Sequence, residues 1–213
     1  MNLISPFISE FPKFSPTINI AVLASGNGSN FEHVIKSIKN KQLNAKISIL
    51  IVNNPNCLAI NKAIKHNIPY VILDHRNYDS RFEHDKEIVN KLNAYNVELV
   101  VMAGWMRIAG ETLIDEFKNR LINIHPSLLP SFKGIDAIQQ AIDNEVTITG
   151  CTVHYVLKEV DSGSIIIQAA VPIMNEESKD SLKKRIQDME HKILPLAIGI
   201  VAKSLTTELK DRK

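Results

Sequence analysis

The stretch Ile18-Asn19-Ile20-Ala21-Val22-Leu23-Ala24-Ser25-Gly26-Asn27-Gly28-Ser29-Asn30 decides the fold. A short apolar run ends in a loop with two glycines, after which Phe31, Val34, Ile35 and Ile38 recur at helical spacing. The order is strand, glycine loop, helix. Glycines after a strand let the backbone N–H groups of Gly28, Ser29 and Asn30 converge on an anion at a helix start, and phosphate is the natural guest. A tight turn with no ligand is the alternative on glycine chemistry alone. The loop is not a dinucleotide fingerprint. G-x-G-x-x-G needs glycine where Phe31 stands, and the following strand ends in Asn53-Asn54 without a ribose-binding acid. No G-x-x-x-x-G-K-[ST] occurs in the chain.

Working outward, short β-branched runs keep alternating with helical patterns. Ile47 to Val52 and Tyr70 to Leu73 read as strands around a helix from about Cys57 to His66. Ile88, Val89 and Leu92 give a helix face ahead of the apolar run Glu98 to Ala103, and Leu121 to Ile124 is a further short strand. Thr147 to Leu157 and Ser164 to Ile173 form a hairpin about Lys158 to Gly163. A final helix is expected from an N-cap at Ser178, with the stripe Leu182, Ile186, Met189, Ile193, Leu196 and Ile200 interrupted at Pro195. This predicts an α/β fold: one Rossmann-like domain with a mostly parallel twisted sheet flanked by helices, closed by a C-terminal β-hairpin and helix. The expected limits are an N-terminal extension at 1–17, a catalytic domain at 18–204 and a polar C-terminal tail at 205–213.

Bulk properties agree with one ordinary domain. The chain has 213 residues, 45% hydrophobic and 23% charged, with 25 Lys and Arg against 23 Asp and Glu. A net charge of +2 without a long basic run gives no electrostatic case for nucleic acid. No stretch approaches the ~18 apolar residues of a membrane span, and the first seventeen residues lack a basic n-region, so neither membrane nor signal peptide is expected. Cys57 and Cys151, the only cysteines, fit a reducing compartment, with the cytoplasm as the simplest location.

In open parallel sheets ligands gather at the carboxyl ends of strands, which brings together Gly26 to Asn30, Trp105 to Ala109 and Asn123 to Gly134. Period-2 alternation turns Asn123 and His125 to one side of a strand end, and Pro126 and Pro130 stiffen the loop that follows. Asp161 lies on the hairpin loop. A carboxylate that met an imidazole there would orient it and tune it for proton chemistry, but spacing alone does not pair Asp161 with His125. Other constellations fail. The chain has no H-E-x-x-H and no G-x-S-x-G, and Ser127 follows a proline rather than sitting on a nucleophile elbow. Cys151 has no nearby cation to activate it and reads as a buried structural thiol. Asp74 to Asp85, with His75 and His84, reads as a solvated charged segment with no metal. Glu190 sits beside the apolar stripe, either on a solvated helix face or turned toward a ligand.

Taken together, these blocks resemble the phosphoribosylglycinamide formyltransferases, folate-dependent enzymes of purine synthesis. The likeness runs from about Ile18 to Ile200. It rests on Ala24 to Asn30, Met102-Ala103-Gly104-Trp105-Met106-Arg107-Ile108, Asn123-Ile124-His125-Pro126-Ser127-Leu128-Leu129-Pro130, Gly150-Cys151-Thr152-Val153-His154-Tyr155-Val156, Asp161-Ser162-Gly163 and Glu190-His191. The H-P-S-L-L-P block is shared with other 10-formyltetrahydrofolate enzymes, whereas G-N-G-S-N is similar to the ribonucleotide enzymes in particular. The resemblance implies a catalytic set of Asn123, His125 and Asp161, a phosphate loop of Gly28, Ser29 and Asn30, and a ribose contact at Glu190. It also implies a formylfolate pocket of Arg81, Met106, Arg107, Ile108, Ala109 and Asn123. The substrates would be glycinamide ribonucleotide and 10-formyltetrahydrofolate, a co-substrate, with no metal, and the protein a monomer or homodimer. A formylfolate hydrolase and a non-catalytic sugar-phosphate or folate binder are the alternatives. The seventeen residues before Ile18 are too few for the hydrolases' regulatory domain, and too little follows Ile200 for the RNA-contacting domain of methionyl-tRNA formyltransferases. Two positions depart from the pattern: Ser164, where many members have proline, and Asp136, where some have histidine.

Overall fold

In a computed structural model that describes residues 3–211, with side chains to residue 207, the chain folds as alternating strands and helices. In chain order these are β1 (Leu3–Ser5), β2 (Ile18–Ala24), α1 (Ser29–Lys39), β3 (Ala45–Val52), α2 (Ala59–Lys65), β4 (Tyr70–Ile72) and α3 (Arg81–Ala94). They are followed by β5 (Leu99–Met102), α4 (Glu111–Glu116), β6 (Leu121–His125), α5 (Ala137–Asp143), β7 (Ile148–Tyr155), β8 (Ile165–Pro172) and α6 (Lys179–Asp211).

All but one residue of β2 is buried, because alternation sends Ile18, Ile20 and Val22 into one half of the core and Ala21 and Leu23 into the other. One eight-stranded sheet results, in the order β1-β8-β7-β6-β5-β2-β3-β4. The five strands from β6 to β4 are parallel, and β7, β8 and β1 add antiparallel neighbours at one end. One face carries α1 and α6, with Phe31, Val34, Leu182 and Ile186 inside; the other carries α3 and α4, with Ile88, Leu92, Leu113 and Phe117 inside. The chain winds outward from β2 to β3 and β4, then returns to β5 and β6 on the other side of β2. The order therefore reverses between β2 and β5, the switch point at which open α/β sheets bind ligands.

Several expectations need revision. Residues 3–17 are part of the fold: β1 pairs antiparallel with β8, and Ile4, Ile8 and Phe14 pack on the core. Short apolar residues on both sides of Pro6 and Pro12 make this possible, while Met1 and Asn2 lie outside the described residues. The expected polar tail is helical as far as Asp211, with Leu205 and Thr206 still against the body, and Arg212 and Lys213 lie outside the described residues. After Pro195 the buried stripe of α6 shifts to Ala197, Ile198, Val201 and Ala202, leaving Leu196 and Ile200 half-buried. The segment Asp74 to Asp85 is not simply solvated. Its second part is the start of α3, and His84, Asp85, Ile88 and Leu92 fall at helical spacing on one inward face, so His84 and Asp85 are 3% exposed each. Neither α4 nor α5 was anticipated, since each is a short helix without an extended apolar period. Among the described residues no helix is long and apolar enough to cross a membrane.

Candidate active site

At the switch point, Gly28 makes the turn from β2 into α1 with φ 67° and ψ 33°. A Cβ there would lie 2.7 Å from Ala59 Cβ and 3.0 Å from Ala59 Cα, so the left-handed conformation and the close approach of α2 both call for glycine. No side chain caps α1, whose first residues, Ser29 and Asn30, line the cleft. The loop is fixed from behind by Ala59 N–H donating to Gly26 O at 3.2 Å and Cys57 Sγ donating to the same carbonyl at 2.9 Å. Across the switch point, Ser25 N–H donates to Gly104 O at 3.0 Å, and Ser25 Oγ accepts from Met106 N–H at 2.9 Å. The loops after β2 and β5 are thereby tied into one floor.

A cleft of about 1140 Å³ opens above this floor. Every site residue expected from the sequence lines it: Gly28, Ser29 and Asn30 at one end, Glu190 beside them on α6, Asn123, His125 and Asp161 in the middle, and Arg81 with Met106 to Ala109 on the far wall. His125 stands at the end of β6 with Nε2 donating to the Phe132 carbonyl at 2.8 Å, while Nδ1 lies 3.3 Å from Asp161 Oδ2. Both ring nitrogens thus face acceptors. Asp161 also accepts from Gly134 N–H at 2.9 Å. Burial pushes the Asp161 carboxyl up, but the His154 ring, the Gly134 N–H and His125 outweigh it and hold the group below the usual carboxylate range.

His154 was not singled out from the sequence. Antiparallel register places it opposite Asn123, where its Nε2 lies 3.3 Å from Asn123 Nδ2 and 3.5 Å from Asp161 Oδ1. Its Nδ1 donates to the Tyr155 carbonyl at 2.8 Å, which turns Nε2 toward the Asn123 amide and the Asp161 carboxylate. One histidine therefore orients the amide and touches the carboxylate. A period-2 reading of β7 would have put His154 and Thr152 on one face, but the partner strand was not readable from spacing.

Glu190 is 7% exposed and accepts from Asn30 Nδ2 at 2.9 Å. Burial, only partly offset by that bond, pushes its carboxyl up to about 7. Asn30 Oδ1 is buried without a partner. Next door, His191 stacks on His33 with centroids 3.7 Å apart, and burial holds its ring down at about 4. Cys151 is fully buried with its thiol pushed well up by burial, as suits a structural residue. Ser127 is spent in a 2.6 Å bond to Ser131 O.

A model of the family described as formyl transferase matches residues 18–198. The chain belongs to the formyl transferase family. It is 39% identical over 178 residues to a phosphoribosylglycinamide formyltransferase from Bacillus subtilis, covering 84% of this chain and 91% of that one. The formyl transferase from Bacillus halodurans, solved as a phosphoribosylglycinamide formyltransferase, superposes with a TM-score of 0.84 at 39% identity, over 86% of this chain and 94% of its own. A human trifunctional purine biosynthetic protein is 41% identical over 183 residues, 86% of this chain. The chain spans only 18% of that relative's length. The departures from the formyl transferase pattern are accommodated: the Ser164 carbonyl accepts from Tyr155 N–H at 3.0 Å across the hairpin, and Asp136 pairs with Lys179 at 2.8 Å.

Proposed function

We propose that the protein transfers the formyl group of 10-formyltetrahydrofolate to the amino group of glycinamide ribonucleotide, in purine biosynthesis. The observation that carries this reading is the seating of Asn123, His125 and Asp161 midway along one cleft between an uncapped glycine loop and an apolar wall bearing two arginines. That wall suits a folate: Met106 and Ile108 are 79% and 50% exposed beside the cleft, an apolar bed for flat rings, and Arg81 and Arg107 offer charge to carboxylates. The co-substrate supplies an activated formyl carbon. Gly28, Ser29 and Asn30 hold the ribonucleotide phosphate through backbone N–H groups, and Glu190 accepts from the ribose hydroxyls. Binding energy from the phosphate fixes the amine at the reacting centre.

The amine attacks the carbonyl directly, so no serine or cysteine nucleophile is needed. Charge develops on the formyl oxygen, to which the Asn123 amide, oriented by His154, and the His125 Nε2–H, exchanging the Phe132 carbonyl for it, donate; such a donor is worth roughly 2.7–4 kcal/mol in comparable sites. Asp161 orients the His125 ring and takes part in removing the amine's proton; the tetrahedral adduct then collapses by breaking the formyl C–N10 bond, and that proton goes to N10 as tetrahydrofolate leaves. The decisive assay mixes the purified protein with both substrates and follows tetrahydrofolate release. Release that requires the ribonucleotide supports the transferase, and release that proceeds equally without it points to hydrolysis and overturns the proposal.

A further inference from the structure

Behind the cleft, two consecutive residues of α3 hold both ends of the far wall. The wall is the loop from Ala103 to Gly110, whose middle, Met106 to Ala109, lines the cleft in neither helix nor strand. At its near end, Trp105 stacks on the His84 ring with centroids 6.2 Å apart and planes 3° from parallel. That ring is itself locked, with Nε2 donating to Leu73 O at 3.0 Å and the Tyr78 ring packed edge-on at 5.0 Å. At the far end, the buried Asp85 carboxylate accepts from Gly110 N–H at 2.6 Å. A Cβ on Gly110 would run into Asp85 and come within 3.3 Å of Arg81 Cδ, so only glycine lets the wall approach α3 this closely. Neither His84 nor Asp85 lines the cleft. Apart from the Met106 N–H tie to Ser25 Oγ, the wall from Met106 to Ala109 is held between these two anchors, and its position relative to Asn123 follows from where they sit.

We propose that His84 and Asp85 are positioning residues that set the formylfolate-binding wall, with Asp85 fixing it through Gly110. The inference rests on the reading of the cleft given above and adds the residues that determine the wall's place. Asp85 acts mainly on one substrate: it shares no bond with the phosphate loop or Glu190, and the ties between wall and phosphate loop, Gly104 and Met106 to Ser25, lie at the end of the wall away from Gly110. Misplacing binding groups by about 1 Å can cost up to about a hundredfold in rate, so a selective effect of tenfold or more is expected when the anchor is cut.

The test varies both substrates with Asp85→Ala, Asp85→Asn and Gly110→Ala. Asp85→Ala removes the acceptor and should raise the formylfolate KM about tenfold or more while the ribonucleotide KM stays within about twofold. Asp85→Asn keeps an oxygen for the Gly110 N–H and should restore the wild-type KM to within about threefold. Gly110→Ala keeps Asp85 but drives its own Cβ against that carboxylate, pushing the wall off α3, and should reproduce the selective rise. Trp105 is the only tryptophan, so its emission reports the near anchor and the binding of tetrahydrofolate without turnover. A formylfolate KM and tetrahydrofolate affinity unchanged in Asp85→Ala overturn the inference, as does an equal rise in both KM values or an Asp85→Asn variant as damaged as Asp85→Ala. An inert wild-type protein overturns the assigned reaction instead; tetrahydrofolate binding read from Trp105 then still decides the anchor.

Discussion

Replacing Glu190 with glutamine should make the protein more stable and a worse enzyme, with a gain that builds between about pH 4.5 and 7 and is complete above that. The carboxyl is buried against Asn30 and pushed from about 4.5 up to about 7. A pKa raised in the fold means that the native state favours the proton: the preference is fully present below about 4.5 and is lost as pH rises through about 7. Above that, the ionised carboxylate costs roughly 3 kcal/mol at about 1.36 kcal/mol per pH unit. Glutamine is neutral throughout, keeps an oxygen for Asn30 Nδ2, and brings an N–H that can reach Asn30 Oδ1, the atom buried without a partner. For a chain of this length, roughly 3 kcal/mol corresponds to about 6–12 °C in Tm. Thermal unfolding of both proteins without substrate, at pH 5 and pH 8, should give melting points that nearly coincide at pH 5 and separate by several degrees at pH 8, with the variant higher. The same variant should bind the ribonucleotide about ten- to a hundredfold more weakly, because hydrogen bonds from ribose to a carboxylate are worth roughly 1.5–3 kcal/mol. A variant less stable than wild type at pH 8, or a gap equal at both pH values, refutes the reasoning.

Three further outcomes are expected. Asp161→Asn should lower turnover at saturating substrates by about 10²–10⁴; it should also flatten the acid limb of stability, because the low pKa of Asp161 adds stability that is lost as pH falls through it. Turnover within threefold of wild type would remove Asp161 from the chemistry. Gly28→Ala should cost about 1–2 kcal/mol for the left-handed backbone alone, with more from the clash at Ala59, and should raise the ribonucleotide KM; Ala59→Gly in the same chain should recover part of the melting point but not the KM. Removing residues 2–17 uncovers the edge of β8 and strips Ile4, Ile8 and Phe14 from the core, a loss of about 3 kcal/mol for side chains already half-exposed; chemical denaturation should show that loss while both KM values hold, and a change in either KM would tie the segment to the cleft.

What the sequence made legible was local, and what it hid was pairing. β2 falls on Ile18–Ala24 as expected because a central parallel strand is apolar throughout and its loop carries its own signature in glycines. Asn123 and His125 share a face for the same reason, since the period of a strand is enough to say so. His154 is equally regular along β7, yet its role depends on an antiparallel register that sets it opposite Asn123, thirty-one residues earlier, and no periodicity within either strand encodes which strands become neighbours. Asp85 failed in the opposite way. Its surroundings are charged, so composition pointed to solvent, but helical spacing with Ile88 and Leu92 turns it inward, where the close backbone of Gly110 satisfies the carboxylate. The residues that touch substrate in the proposed reaction sit at strand ends and loops, and their types announce chemistry. Those that hold them in place are chosen by geometry between distant segments: Ala59 against Gly28, His154 against Asn123, Asp85 against Gly110. Such contacts are made only once the sheet has assembled, so a single chain read in order reveals the reacting groups before it reveals what aims them.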